Sequence, residues 1–208
     1  MSFFGTRWSL SRTADAVGLW TRAVGGDATA LDALYRQESG PVFRYALAVC
    51  GNEAWAADAL QDAFLALMHQ PQGFDEAKGS LGAYLCGMAR HYLLASRRDR
   101  LHTAQVIDSD EDTQVEDEWA PDPQDQLVRL QSLQSLHEAL AALPWAQREA
   151  LVLVDLQERD YAQAAAIAGI PVNTFRTRLL RGRRRLHEVL AVNPSSEGAI
   201  AAPSRRIA

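Results

Sequence analysis

Apolar residues recur three or four positions apart along most of the chain, and runs of β-branched residues are scarce. Side chains at that spacing share one face of a helix, so the pattern predicts a mostly helical protein rather than one built from strands. In the first half it predicts helices over residues 16–25, 28–37, 41–49 and 54–69. Asp27 is expected to cap the second of these helices, and Pro41 suits the first turn of the third.

The helix predicted over residues 54–69 has two distinct faces. Apolar residues at core spacing mark the inner face: Leu60, Phe64, Leu67 and Met68. On the opposite side Asp58 and Asp62 lie four residues apart, with Leu65 between them and Gln61 beside it. An apolar residue ringed by carboxylates and an amide is typical of a protein-binding patch, although an ordinary solvated face with one exposed leucine has the same pattern.

A long helix is predicted to follow a loop over residues 74–82. Its buried stripe is expected to consist of Leu81, Leu85, Met88 and Tyr92. Its C-terminal half carries cations, with tyrosines interleaved: Arg90, His91, Arg97, Arg98 and Arg100, with Tyr84 and Tyr92. Cations bind phosphates and aromatic rings stack on unpaired bases, so this combination suits melted nucleic acid. The alternative is that cations simply favour a helix C-terminus and that the tyrosines belong to the core.

Residues 161–171 predict a short alanine-rich helix, a turn and the start of another helix. Gly169 can adopt the left-handed conformation that ends a helix, and Pro171 prevents simple continuation. Asn173 or Thr174 is expected to cap the next helix. Small side chains, which a close helix crossing needs, are present at Ala164, Ala165 and Ala168. This is the layout of a helix-turn-helix, whose second helix enters the major groove of DNA.

The second helix of this motif is strongly basic. Six arginines fall between Arg176 and Arg185, while the whole chain carries a formal net charge of −5. A basic helix on an acidic protein indicates a local anionic partner such as DNA, and an arginine-rich solvated helix is the structural alternative.

An acidic stretch separates two helical regions. Its carboxylates are Asp108, Asp110, Glu111, Asp112, Glu116, Asp117 and Glu118. Pro121 and Pro123 follow and helical periodicity is lost, as in a linker. We therefore expect an all-α protein of two small helical domains joined by a flexible acidic linker, the second domain containing the helix-turn-helix. The predicted divisions are an N-terminal extension 1–15, a helical domain 16–104, the linker 105–126, a helix-turn-helix domain 127–192 and a mobile tail 193–208.

Other functional classes lack their signatures in this sequence. Cys50 and Cys86 do not have a metal-ligand spacing, the histidines are scattered, and neither a glycine-rich phosphate loop nor a nucleophile elbow is present. No apolar run approaches membrane-spanning length, and the N-terminus lacks a signal-peptide pattern. The sequence therefore predicts a cytoplasmic protein that is not an enzyme, needs no cofactor or metal and does not insert into a membrane.

Several separated segments resemble a known family. Residues 58–65, 74–80 and 84–91 resemble the second conserved region of bacterial RNA polymerase sigma factors, and residues 143–151 with the helix-turn-helix through Arg185 resemble their fourth region. The layout of two regions with only a linker between them is similar to the extracytoplasmic-function (ECF) group. The resemblance covers most of residues 16–192. It implies a transcription initiation factor that binds core RNA polymerase and directs it to the minus-ten and minus-thirty-five promoter elements.

The resemblance also implies partners and roles for individual residues. The β′ clamp coiled coil of the polymerase would be faced by Asp58, Gln61, Asp62 and Leu65. The minus-ten element would be read by the basic end of the long helix, from His91 to Arg100. The minus-thirty-five element would be contacted by Asn173, Thr174, Arg176, Thr177, Arg178 and Arg181. Phosphate or the β flap of the polymerase would be contacted by Arg184 and Arg185. An anti-sigma factor is a further implied partner, able to cover both the clamp-facing residues and the arginine-rich helix.

Four positions differ from residues common in the family. Tyr84 stands where a tryptophan is common, His91 replaces a frequent asparagine, Ala95 a frequent aspartate, and Gln163 a frequent glutamate. The minus-ten preference is therefore the property expected to transfer least well. The alternative function is a stand-alone helix-turn-helix regulator with a helical sensor domain. That reading explains residues 127–192 but neither the patch at Asp58–Leu65 nor the basic helix at Arg90–Arg100.

Overall fold

A computed structural model describes the backbone of residues 5–104 and 136–192, and the side chains of residues 15–99 and 136–191. The helices are α1 (Gly5–Val24), α2 (Ala28–Cys50), α3 (Glu53–His69), α4 (Leu81–Ala104), α5 (136–141), α6 (Trp145–Leu151), α7 (Tyr161–Ala168) and α8 (Val172–Val192). These two ranges contain no strand, which confirms the all-helical prediction for them. The predicted acidic linker and the tail lie outside the described residues.

The turn between α1 and α2 forms as the sequence predicts. The Asp27 carboxylate accepts hydrogen bonds from the backbone N–H groups of Thr29 at 3.0 Å and Ala30 at 3.1 Å, so Asp27 caps α2. The Arg22 guanidinium lies 2.6 Å from the same carboxylate. The Thr29 hydroxyl and then Arg22 hold the pKa of this carboxyl well below its usual range. Helix α1 begins at Gly5, well before the predicted start at residue 16.

One helix, α2, replaces the two that were predicted over residues 28–37 and 41–49. It runs unbroken from Ala28 to Cys50 with Pro41 inside it. A proline in a helix interior costs about 3 kcal/mol, because it removes a hydrogen bond and its ring crowds the preceding turn. The compensation is a continuous buried stripe of Leu34, Val42, Tyr45, Ala46 and Val49. Burying several such side chains stabilises the helix by more than the proline costs.

The core of the N-terminal half, residues 15–99, lies between α1, α2, α3 and α4, with Ala16 and Trp20 contributed by α1. Leu60, Phe64 and Leu67 of α3 are buried as predicted, but Met68 is 43% exposed, so its placement in the core was wrong. Small residues on the other flank of the stripe are buried instead, which rotates the inner face of α3 away from Met68. In α4 the buried line is Leu81, Leu85, Cys86, Ala89 and Leu93. Met88 and Tyr92, two members of the predicted stripe, are only half-buried.

The C-terminal half, residues 136–191, contains the helix-turn-helix. Gly169 follows α7 with φ 65°, the left-handed conformation that only glycine adopts without strain. The small residues Ala164, Ala165 and Ala168 of α7 are buried, as a close helix crossing needs. Helix α8 begins at Val172, and the Pro171 carbonyl accepts from the Phe175 N–H at 3.0 Å. The prediction that Asn173 or Thr174 caps this helix was therefore wrong, because both lie within its first turn and are exposed.

Close packing of α6 against α8 depends on Gly182. A Cβ at this position would lie 3.0 Å from the Gln147 carbonyl oxygen and 3.3 Å from Leu151 Cγ. Gly87, in the middle of α4, has open space at the same point. Alanine in place of glycine inside a helix normally stabilises by about 1 kcal/mol. We expect Gly87→Ala to show that gain and Gly182→Ala to lose stability, as overpacking does.

The measurement is denaturant unfolding of the full chain, with Gly87→Ala as the matched control. A Gly182→Ala variant that is stabilised as much as Gly87→Ala would contradict the close approach of α6 and α8.

Candidate polymerase and nucleic-acid surfaces

The outward side of α3 carries the polar patch that the sequence predicts. Asp58, Gln61, Asp62 and Leu65 are all exposed, with Leu65 39% accessible, and we call these four residues the α3 face. Successive helical residues are 100° apart, so these positions cluster opposite the buried stripe. The Tyr92 hydroxyl lies 3.5 Å from Asp58 Oδ2, which is long for a hydrogen bond between oxygens. The Asp58 carboxylate is therefore available to a partner.

Apolar surface next to the α3 face was missed by the sequence reasoning. Met68 is 43% exposed and Tyr35 of α2 is 45% exposed. The Tyr35 ring packs on the Phe64 ring with 4.9 Å between centroids. Leu65 and Met68 are three residues apart on one helix, so they are neighbours on its surface. An apolar centre with a polar rim is typical of a protein interface.

The basic end of α4 is only partly open. His91, Arg97 and Arg98 are exposed, and a cavity of about 460 Å³ is lined by Arg90, His91, Leu94, Arg97 and Arg98. The Arg90 side chain, however, is only 15% exposed and its Nε lies 2.7 Å from Glu149 Oε1. The Arg97 guanidinium carbon lies 5.6 Å from the centre of the Trp145 ring. The side chain of Arg100 lies outside the described residues.

Tyr84, which stands where a tryptophan is common, is fixed by the loop before α4. Its ring packs on Phe74 with 5.7 Å between centroids. A Cβ on Gly73 would come within 2.5 Å of the Tyr84 hydroxyl oxygen, so this hydroxyl lies directly against the loop backbone. The ring is therefore part of the loop packing and only half-buried.

Helix α8 separates a buried side from a basic side. Phe175, Leu179 and Gly182 are buried. The predicted DNA-contacting residues that are exposed are Asn173, Thr174, Arg176, Thr177, Arg181, Arg184 and Arg185, and Arg178 is half-buried at the edge. The predicted DNA-contacting arginines of α8 are therefore accessible, with Arg178 the least so.

Some side chains on this surface are held in place. The Arg176 guanidinium carbon lies 5.4 Å from the centre of the Tyr161 ring of α7. The Thr177 hydroxyl donates to the Asn173 carbonyl at 3.0 Å. Arg183 lies to one side, where its ion pair with Asp155 at 2.5 Å raises its pKa. This ion pair therefore ties α8 to the π-helical segment Val152–Leu156 that continues α6, whereas Arg176 stays exposed.

Leu180 is a surface residue that sequence reasoning missed. It is 70% exposed, and it lies on the outward side of α8, one turn after Arg176 and one turn before Arg184. The signal was available, because a helical wheel puts Leu180 about 120° from the midpoint of Phe175 and Leu179, well outside the buried stripe.

Both halves match models of the bacterial sigma-70 transcription factors. Sigma-70 region 2 matches residues 34–102, and sigma-70 region 4 matches residues 133–186. The ECF RNA polymerase sigma factor SigC of Mycobacterium tuberculosis is 30% identical over 173 residues, which cover 79% of this chain and 85% of that protein. SigE of Mycolicibacterium smegmatis is 30% identical over 175 residues, which cover 82% of this chain and 66% of that protein.

The fold is similar to that of a solved sigma factor. The sigma factor RpoE from Bartonella quintana, in a co-crystal structure with the anti-sigma factor NepR, has a TM-score of 0.65. It is 24% identical and the match covers 78% of this chain and 98% of that one. This chain belongs to the ECF RNA polymerase sigma factors.

As a member of this family, the chain is a transcription initiation factor that directs RNA polymerase to promoters. The stand-alone regulator is not favoured, because it leaves the region 2 match over residues 34–102 without explanation. Among the described helices, none has the length and apolarity to cross a membrane.

Proposed function

We propose that the α3 face binds the clamp coiled coil of the polymerase β′ subunit. The support is the accessibility of all four side chains, Asp58, Gln61, Asp62 and Leu65, together with the apolar surface of Met68 beside them. Carboxylates on a rim favour a basic partner and orient its approach, while exposed apolar groups supply contact area.

The two promoter elements are assigned to α4 and α8 in this proposal. His91, Arg97, Arg98 and Arg100 of α4 would contact the minus-ten element, with Arg90 joining them when it leaves Glu149. The outward side of α8 would contact the minus-thirty-five element through Asn173, Thr174, Arg176, Thr177, Arg178 and Arg181, with Arg184 and Arg185 on phosphate or the β flap. The observation that carries this assignment is that α8 exposes several arginines, although the chain as a whole has a net charge of −5.

The factor is proposed to act in the cytoplasm by binding alone, with the polymerase supplying the chemistry. An anti-sigma factor is proposed as a further partner, one that covers the α3 face and the outward side of α8 together. The support is that each surface exposes a large apolar side chain beside its charges, Leu65 on one and Leu180 on the other.

The experiment is run-off transcription with purified core polymerase and a library of promoter templates. We expect transcripts only when the factor is added, and their start points give the two elements. Asp32→Asn serves as the control variant because Asp32 is exposed on α2 and pairs with Arg36, away from the proposed surfaces, and it should keep activity. If the chain bound DNA by itself but produced no transcript with core polymerase, the proposal would be wrong.

Leu180 is expected to contribute to promoter contact, since an apolar side chain on a recognition helix can pack against a thymine methyl group. Leu180→Ala should weaken binding to the minus-thirty-five duplex by about threefold to tenfold, as loss of a few buried methylene groups would. Fluorescence anisotropy at one fixed salt concentration measures the change.

The matched control is Leu156→Ala, since Leu156 is 51% exposed and lies at the end of the π-helical segment Val152–Leu156 that continues α6. Equal affinities for the Leu180→Ala, Leu156→Ala and unmodified chains would remove Leu180 from the DNA surface.

A further inference from the structure

A buried carboxylate joins the two halves of the described structure. Glu149 of α6 is 1% exposed. Its Oε1 atom accepts from the Tyr45 hydroxyl of α2 at 2.9 Å and from Arg90 Nε of α4 at 2.7 Å. Both donors belong to the N-terminal half and the acceptor belongs to the C-terminal half. A buried carboxylate is tolerated only when charge and hydrogen bonds compensate it, so this contact requires the two halves to stay together.

Other polar contacts cross between the halves around Glu149. Gln157 Nε2 donates to the Pro41 carbonyl at 2.7 Å, and Arg148 Nη1 donates to the Val49 carbonyl at 2.8 Å. Arg159 Nη2 lies 3.5 Å from Cys86 Sγ. Donors of the C-terminal half thus meet backbone and thiol acceptors on α2 and α4. The contact is specific in geometry as well as in charge.

The contact between the two halves also makes cations of α4 unavailable to nucleic acid. Arg90 cannot pair with Glu149 and with a DNA phosphate through the same Nε atom. Arg97 lies against Trp145, which also belongs to the C-terminal half. In the proposed function, a factor bound to RNA polymerase instead presents α4 and α8 to two separate promoter elements.

We propose that Glu149 clasps the two halves of the free factor in a closed arrangement that shields Arg90 from nucleic acid until polymerase binding separates them. The shielding rests on the proposed role of α4 in promoter contact, whereas the clasp itself does not. The Tyr45 hydroxyl stays protonated and so continues to donate to Glu149, because burial and then the nearby Glu149 charge raise the pKa of Tyr45 well above its usual value.

Cys86 provides a reporter for the separation within the native sequence. Its side chain is buried, and its thiol lies between Gln157 at 4.0 Å and Arg159 at 3.5 Å, both from the C-terminal half. Burial raises the pKa of the Cys86 thiol to about 11, so the closed form holds little reactive thiolate. Separation of the halves exposes the sulfur to water and returns its pKa toward the ordinary range near 8.5.

The test measures alkylation of Cys86 by iodoacetamide in the full chain carrying Cys50→Ser, so that one thiol is followed. Glu149→Ala leaves Arg90 and Tyr45 without their acceptor, and it should raise the alkylation rate about tenfold or more. Glu149→Gln keeps an acceptor oxygen but loses the charge, and it should give an intermediate rate. Asp155→Asn is the matched control, because it removes a carboxylate that pairs with Arg183 inside the C-terminal half, and its rate should not change.

Circular dichroism checks that each variant keeps its helix content. Tyr45→Phe provides a milder change should Glu149→Ala fail to fold, since it removes one donor and leaves the pair of Arg90 and Glu149 intact. Wild-type rates in both Glu149→Gln and Tyr45→Phe would overturn the clasp. The clasp would also be overturned if Cys86 of the unaltered factor reacted as fast in the native protein as in denaturant.

A second measurement addresses the shielding. The Glu149→Ala chain should bind a single-stranded minus-ten oligonucleotide more tightly than the unaltered chain at the same salt concentration, and Arg90→Ala added to it should remove the gain. Faster alkylation without tighter binding would overturn the shielding and leave the clasp in place. The alkylation readout needs neither polymerase nor promoter, so it can succeed or fail independently of the transcription experiment.

Discussion

Replacing Asp58 and Asp62 together with lysine should weaken binding to core polymerase by about a hundredfold or more. Both carboxylates are exposed on the α3 face, so the change leaves the buried stripe of Leu60, Phe64 and Leu67 untouched. Placing cations against a basic partner costs several kcal/mol at an interface, and each 1.4 kcal/mol corresponds to a tenfold change in affinity. Affinity is measured by titrating labelled factor with core polymerase.

The control for this variant is Glu53→Lys with Glu76→Lys, which changes the net charge by the same amount at exposed positions outside the α3 face. It should bind core polymerase almost as well as the unaltered chain. Unchanged affinity of the Asp58 and Asp62 variant, with normal helix content, would show that polymerase binds another surface.

Changing Arg176 to alanine should reduce sequence discrimination at the minus-thirty-five element by about 1–3 kcal/mol, or roughly fivefold to 150-fold. Arg176 lies in the first turns of α8, the part of a recognition helix that reaches base edges, and the Tyr161 ring supports its guanidinium. Arg178 is half-buried at the edge of the surface, so Arg178→Ala should have the smaller effect. Binding of matched and mismatched duplexes gives the discrimination directly.

Arg184 and Arg185 should behave differently from Arg176. Both are exposed in the later turns of α8, and alanine at either position should weaken all sequences alike and lower the salt dependence by about one counterion. If all four alanine variants weakened matched and mismatched duplexes to the same extent, α8 would contact only the DNA backbone.

Local signals in the sequence predicted local structure well. Asp27 caps α2 because a short carboxylate can reach backbone donors two and three residues later, and Gly169 ends α7 because it accepts a positive φ. The prediction that the helix breaks before Pro41 was wrong, because burial along the whole of α2 outweighs the local effect of the proline. The prediction for Met68 was wrong because one apolar residue can satisfy core spacing while the smaller alanines of α3 decide which side is buried.

The contact at Glu149 could not be predicted from periodicity. Its hydrogen bond to Tyr45 joins residues 104 positions apart, and a glutamate in a short helix is ordinarily exposed. Nothing within a few residues of Glu149 marks it as buried. Long-range pairing of this kind depends on how the two halves pack, which a single sequence does not encode in any local pattern.

The closed packing of the two halves has a consequence for competition among initiation factors that share one pool of core polymerase. A partner that binds only the separated form sees an affinity reduced by the fraction of chains that are open, so about 1% open lowers the apparent affinity roughly a hundredfold. Substitutions at Tyr45, Arg90 or Glu149 can then change how well this factor competes for core polymerase. They do so without altering the residues that meet the polymerase or the bases that α8 reads.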